Sequence, residues 1–365
     1  MPTRRAPAPW PIRPPMQAGE ALSSYLVRAA HRNRTAPYSF LNCRWPNRQV
    51  WTRDIDRTLD DNWLGELSVC SCNSLQGLRS GTFAAHVPKA VLSMPGDVPL
   101  VLSAGIFHRM RRRHGQMFCP RCLRDQEVTY FKITGRMAFV FACESCGDNL
   151  NDGCPNCDAP IAPHLSPVGR IDLCHDCGRR LSYPHAAQFE VPACVHELQR
   201  SLIECLGPDA HGSVGPFRGW DAIVVVRTLL AASRHRAVLS RLTRYFELEP
   251  RDLRDAEATS FEHARMRTRL ALLELVAIWG AKWPDNFLLG ARDAGMTALT
   301  FARVGARNVD SFRLAVESLS RGYAKERQRV PICADTDIQK LRRSDPDYFR
   351  RVRMRSILRV VDSTA

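Results

Sequence analysis

The sequence predicts a mainly α fold in which a cysteine-rich middle segment with small β elements separates two helical regions. Three observations predict it. Apolar residues recur at helical spacing before residue 107 and after residue 190. Eight of the fourteen cysteines fall between residues 108 and 184, as four Cys-x2-Cys pairs. Gly, Pro, Asp and Asn cluster around those pairs, as tight turns require. With 365 residues, 45% of them apolar, the chain is long enough to bury more than one core.

Residues 1–18 are a Pro-rich lead, expected to be extended. Residues 19–107 read as a helical domain. Leu22, Tyr25, Leu26, Ala29 and Ala30 form one apolar helix face. Leu59, Trp63, Leu64 and Leu67 form a second. A break over 68–71 and a short segment with Leu75 and Leu78 in phase complete the outline of a helix-turn-helix. Val69 and Cys70 stand in the turn where Gly is often found, and an ordinary helical hairpin has the same pattern. In the helix-turn-helix reading, 72–80 is the recognition helix, and Asn73, Ser74, Gln76 and Arg79 are its nucleic-acid-binding face. Cys70 and Cys72 then read as buried thiols.

In residues 108–184, Cys119-x2-Cys122 precedes Cys143-x2-Cys146, and Cys154-x2-Cys157 precedes Cys174-x2-Cys177. A two-residue gap lets one tight turn aim two sulfurs at one ion, and two such turns complete a tetrahedron. The expectation is two structural Zn2+ per chain in tandem zinc-ribbon or knuckle modules. Four thiolates leave no open position for water, so these are not catalytic metals. An iron–sulfur cluster also accepts four thiolates, but paired turns favour zinc. Redox Cys-x2-Cys motifs occur singly. Sequential and interleaved ligand pairing both fit the spacing. Gly147 and Gly178 suit the positive φ that follows such a turn. His164 and His175 are not needed as ligands and read as surface residues. Arg109, Arg111, Arg112 and Arg113 lead into the first pair, as a basic stretch along a nucleic-acid backbone or as an exposed helix end.

Residues 190–365 return to helical periodicity, clearest at 220–232, 237–246 and 261–278, the last stopping near Gly280. Residues 338–361 interleave Arg350, Arg351, Arg353 and Arg355 with aromatic and aliphatic residues. That composition suits a basic helix contacting phosphate or an acidic protein, and also a solvated surface helix.

The net charge is +15, from 52 basic against 37 acidic residues, and favours a polyanionic partner such as DNA. All but five of the basic residues are Arg, which a GC-rich genome or bidentate phosphate contact both produce. Neither a signal peptide nor a transmembrane stretch is legible, so a cytoplasmic protein without membrane contact is expected. There, cysteines are metal ligands or thiols rather than disulfides.

Several ordered motifs resemble the TniQ/TnsD family of transposon target-selection proteins. They are Pro14-Pro15…Gly19-Glu20-Ala21-Leu22-Ser23-Ser24-Tyr25-Leu26…Arg28, then Leu64…Leu67-Ser68…Leu75, then Phe118-Cys119-Pro120-Arg121-Cys122-Leu123 with Tyr130-Phe131 and the later cysteine pairs, and Trp283-Pro284…Phe287. They span most of residues 12–290. The family commonly has His where Cys146 stands and Trp near Gly135. The resemblance implies a non-catalytic adaptor that binds target DNA or a guide-RNA effector complex, often as a homodimer, and recruits an AAA+ ATPase and, through it, a transposase. A stand-alone zinc-dependent transcription regulator is the alternative. No phosphate-binding Gly-x4-Gly-Lys-Ser/Thr loop and no nucleophile–base set stands out, so no enzymatic activity is expected.

Overall fold

The computed structural model describes residues 8–320, apart from 47, 49, 59, 184–188, 208, 209, 250–252, 254, 255, 303 and 304. The Arg-rich segment 338–361, with Arg350, Arg351, Arg353 and Arg355, lies outside the described residues. The fold is mainly α with two small antiparallel sheets. The first half contains α1 (Leu22–Arg32), α2 (Pro37–Asn42), α3 (Ile55–Thr58), α4 (Asp61–Ser71), α5 (Leu75–Ser80) and α6 (Lys89–Leu92). A hairpin of β1 (Ile106–Phe107) and β2 (Met110–Arg111) and helix α7 (Pro120–Asp125) follow. The second half contains α8 (Ala193–Glu204), the hairpin β3 (Ser213–Val214) and β4 (Phe217–Arg218), then α9 (Gly219–Ser233), α10 (Arg236–Tyr245) and α11 (Met266–Gly280). It closes with α12 (Asp285–Asp293), α13 (Ala298–Phe301) and α14 (Asp310–Glu317). The two sheets lie outside the four cysteine turns, three of which are closed by single bridges, Ala142 to Asn149, Gly153 to Pro160 and Leu173 to Arg180.

Helix α1 explains the opening motif. All of its residues from Leu22 to His31 are buried, so it is the axis of the N-terminal core rather than a half-wet surface helix. Its polar residues therefore need partners inside the protein. Glu20 accepts from Arg28 Nε at 3.0 Å and Nη2 at 2.7 Å. Ser23 Oγ donates to Asp56 at 2.8 Å, and Ser24 Oγ accepts from Phe131 N at 2.9 Å. The lead is clamped onto this core. Trp10 is buried against Phe40 with ring centroids 4.9 Å apart, and its backbone N–H donates to Cys70 O at 2.8 Å.

The break predicted over 68–71 is displaced. Helix α4 continues through Ser71 because Leu67, Cys70 and Ser71 point into the core. The chain turns at 72–74 instead. Cys72 adopts φ 54°, the left-handed cap that Gly usually supplies. Ser74 then caps α5 by accepting from Gly77 N at 3.0 Å. The second helix accordingly starts at Leu75, and Cys72, expected to be buried, is exposed.

In the second half, the predicted segment 261–278 begins as a 3-10 turn, Phe261–His263, before α11. Asp152 accepts from Met266 N at 3.0 Å and so caps α11 from 114 positions away in sequence. The Trp283-Pro284…Phe287 element is an aromatic stack. Trp283 lies 4.6 Å from Phe287, which also meets Phe301 at 5.5 Å and Phe312 at 5.7 Å.

The buried apolar residues form two clusters. One joins α8, α9, α11, α12 and α14 to the segment 98–150, including Cys119 and Cys143. The other joins α1, α2, α4 and α5 to Phe118, Leu123, Phe131, Ile161 and Ile171, including Cys154 and Cys174. Charged groups stitch the segments together. Arg136 is fully buried and donates to Asp54 at 2.5 Å, Asp56 at 3.0 Å and Leu102 O at 3.0 Å. Burial raises the Asp54 carboxyl, but the charge and hydrogen bonds of Arg136 outweigh it and leave the group below its ordinary value. The neighbouring Gly135 has no room for a side chain. A Cβ there would stand 2.3 Å from Met117 O, so the aromatic residue common in the family at this point does not fit this backbone.

Candidate metal centres and nucleic-acid surfaces

The eight middle cysteines gather into two groups in sequential pairing. One contains Cys119, Cys122, Cys143 and Cys146, the other Cys154, Cys157, Cys174 and Cys177. Within each, all four sulfurs lie within 4.8 Å of one another. The closest separations run from 3.4 Å (Cys119–Cys146) to 3.7 Å (Cys157–Cys174). A tetrahedron of Zn–S bonds has edges of about 3.8 Å, whereas a disulfide needs about 2.05 Å. The donor set therefore fits a tetrahedral thiolate-binding ion and excludes disulfides within these groups as they stand.

The local chain explains how the sulfurs converge. Three of the pairs sit in turns closed by a backbone bond to the first cysteine carbonyl, from Gly147 N at 2.8 Å, Asp158 N at 2.9 Å and Gly178 N at 3.1 Å. Each closing residue is left-handed, with φ of 77°, 59° and 71°. Gly147 and Gly178 were legible for this role. Asp158 was not, although Asp tolerates the left-handed region better than most residues. The remaining pair is built differently. Cys119 is the N-cap of α7, and its sulfur accepts from Cys122 N at 3.4 Å. Without a cation the four thiols cannot all ionise. Cys119 is pushed up, chiefly by its hydrogen bond to Cys143, while Cys143 is pulled down to about 4 by the same bond. A divalent ion lets all four ionise together.

His164, read from sequence as a surface residue, is buried. Its ring stacks on Trp51 with centroids 5.0 Å apart, and its Nε2–H donates to Arg109 O at 2.6 Å. Burial, with the charge of Arg111 second, pulls His164 down to about 3. His175 is half-buried outside the sulfur group. The unfolded chain binds a proton at His164 below about pH 6.5, and the folded chain does so only near pH 3, so stability falls with acidification across that window. We expect His164 to account for about 1 kcal/mol of the stability lost between pH 7.5 and 5.5. Urea unfolding at the two pH values, for wild type and His164→Leu, checks it; equal pH dependence in the two proteins would remove His164 as the cause.

The nucleic-acid residues expected from sequence are dispersed by the fold. Asn73 is turned inward. Its Oδ1 accepts from Met16 N at 2.9 Å and its Nδ2 donates to Tyr25 Oη at 2.8 Å, so it holds the lead on α1. Ser74 is exposed but occupied as the α5 cap, Gln76 is exposed, and Arg79 pairs with Asp61. The stretch 109–113 runs through the turn and second strand of the β1–β2 hairpin and is not a helix end. Arg111 faces inward and donates to Ile161 O at 3.1 Å, because β2 alternates sides. Burial pulls its guanidinium down to about 10, still charged at neutral pH. Arg109, Arg112 and Arg113 are exposed. Arg109 lies 4.2 Å over the Tyr38 ring and Arg112 4.2 Å over Phe107. Arg113 meets Ser103 Oγ at 3.2 Å and His263 Nε2 at 2.6 Å. An open cavity of about 400 Å³ lies between α2 and the turn of this hairpin, and no sequence pattern pointed to it. Among the described residues, no helix is long and apolar enough to cross a membrane.

A family model, TniQ, matches residues 11–145, from the clamped lead to within one residue of the last cysteine of the first sulfur group. Over that stretch the resemblance to the TniQ family is borne out. No curated protein matches the chain.

Proposed function

We propose that the chain is a non-catalytic target-selection adaptor of a DNA transposition system. The TniQ match over residues 11–145 is the observation that carries this reading, because that domain is associated with transposition target selection. In this reading two Zn2+ ions fill the four-cysteine groups and act as scaffold. Their sulfur sets are closed, so they offer no position for a reacting water. DNA is met electrostatically, with Ser74 and Gln76 on α5 and Arg109, Arg112 and Arg113 on the β1–β2 hairpin as the exposed contacts. An AAA+ ATPase, and through it a transposase, is the protein partner, with a guide-RNA effector complex as a second route to the target and a homodimer as the assembly.

The test is retention of an AAA+ ATPase of a transposition system on the immobilised full chain, with and without duplex DNA. Retention that DNA strengthens is the expected result. DNA binding without ATPase retention would point to a stand-alone regulator, and neither would end the adaptor reading. DNA affinity should also fall steeply between low and high salt, since phosphate contacts release counterions.

A further inference from the structure

The cavity between α2 and the β1–β2 turn has the chemistry of a nucleotide site. Its volume of about 400 Å³ lies within the roughly 300–1,000 Å³ usual for small-ligand pockets. Its lining includes Tyr38, Asn42, Arg48, Trp51, His108 and Arg109. Tyr38 is 47% exposed, an unusual amount for an aromatic ring in a concave site, and the guanidinium of Arg109 covers it at 4.2 Å. Among the described residues no carboxylate pairs with Arg109. Arg48 pairs with Asp60 and lies 5.3 Å over the Trp63 ring, which fixes it at the wall.

The turn that carries His108 and Arg109 is held in place from behind. Both residues are left-handed, with φ of 46° and 67°, in a two-residue hairpin turn that ordinarily takes Asn-Gly. Buried His164 holds the Arg109 carbonyl and is itself stacked on Trp51. The cationic rim is thus anchored to the cavity floor rather than carried on a free loop.

We infer that this cavity binds an unstacked nucleotide of single-stranded nucleic acid, with the base on Tyr38 and the phosphate at Arg109 and His108. The ring face that Arg109 leaves uncovered offers a base a stacking surface, and the guanidinium over the other face holds the ring by cation–π attraction. The Asn42 amide can pair with a base edge, and the basic turn meets a phosphate. A duplex keeps its bases stacked and reaches only the rim, so the cavity distinguishes single strands from double strands. This inference rests on the nucleic-acid reading above but not on the adaptor role.

The experiment measures anisotropy of labelled single-stranded DNA, single-stranded RNA of the same sequence, and the corresponding DNA duplex, with the full zinc-loaded chain. The proteins are wild type, Tyr38→Ala, Tyr38→Phe and Arg109→Gln, each checked for its fold by circular dichroism. Tyr38→Ala and Arg109→Gln should each weaken single-strand binding about tenfold, while Tyr38→Phe retains it. Duplex affinity should be unchanged by Tyr38→Ala. The stronger of the DNA and RNA arms identifies the natural strand. Single-strand affinity that is absent in wild type, or equal in all four folded proteins, overturns the inference whatever the duplex shows. Failure of the adaptor reading looks different, as no ATPase retention and no duplex binding with Tyr38-dependent single-strand binding intact.

Discussion

With Zn2+ filling both four-cysteine groups as proposed, replacing Cys119 with Ser should remove one of the two ions and unfold the larger of the two cores. A structural zinc contributes about 10–16 kcal/mol in small zinc peptides, comparable to or larger than the roughly 5–15 kcal/mol that holds a whole domain folded. Cys119 and Cys143 are part of the buried cluster that contains α8, α9 and α11, so the loss propagates beyond the cysteine turn. Cys174→Ser should act elsewhere. Cys154 and Cys174 belong to the cluster that holds Trp10, Trp45, Trp51 and Trp63, so indole emission should shift to the red as the N-terminal helices loosen. The measurements are zinc per chain, thermal melting and tryptophan emission. A soluble Cys174→Ser protein with one zinc, an unchanged melt and unchanged emission would refute the assignment of the second ion to the N-terminal core.

The second large effect is expected at Arg136. Removing it with Arg136→Ala leaves Asp56 fully buried and Asp54 largely so, without their common counter-charge. Breaking a buried pair in this way costs about 3–5 kcal/mol. It also removes the guanidinium 5.1 Å over Phe83 and the bond to Leu102 O. Urea unfolding of the zinc-loaded protein should show a midpoint shift at constant slope. A triple variant, Arg136→Met with Asp54→Asn and Asp56→Asn, should recover part of the loss, since the two carboxylates are then neutral and only buried Arg111 keeps a charge without them. A midpoint within 0.5 M of wild type for Arg136→Ala alone would contradict the buried-pair account.

The helical segments were largely legible because their signal is local. The face predicted from Leu22 to Ala30 became α1, and 220–232 and 237–246 became α9 and α10 within a residue or so. The boundaries that moved did so for tertiary reasons. Helix α4 outran its predicted break because Cys70 and Ser71 are buried, and α11 started late because Asp152 caps it from across the chain. The residues wrongly assigned to the surface share one cause. Asn73, Arg111 and His164 are polar residues whose partners, Tyr25, Ile161 and Trp51, lie far away in sequence. No periodicity encodes such a partner, and composition alone assigns a polar residue to the surface.

The sequence by itself singled out the eight candidate ligand cysteines and how two of the four pairs are turned, because a Cys-x2-Cys gap and the left-handed glycine after Cys146 and after Cys177 are local geometry. It also determined the net charge that favours a polyanion and the motifs shared with the TniQ family. The tertiary structure alone decided that the pairing is sequential, that each sulfur group is built into a different core, and which arginines remain exposed. Those outcomes depend on which distant side chains meet during packing, and a buried charge or a cavity wall exists only once they have met.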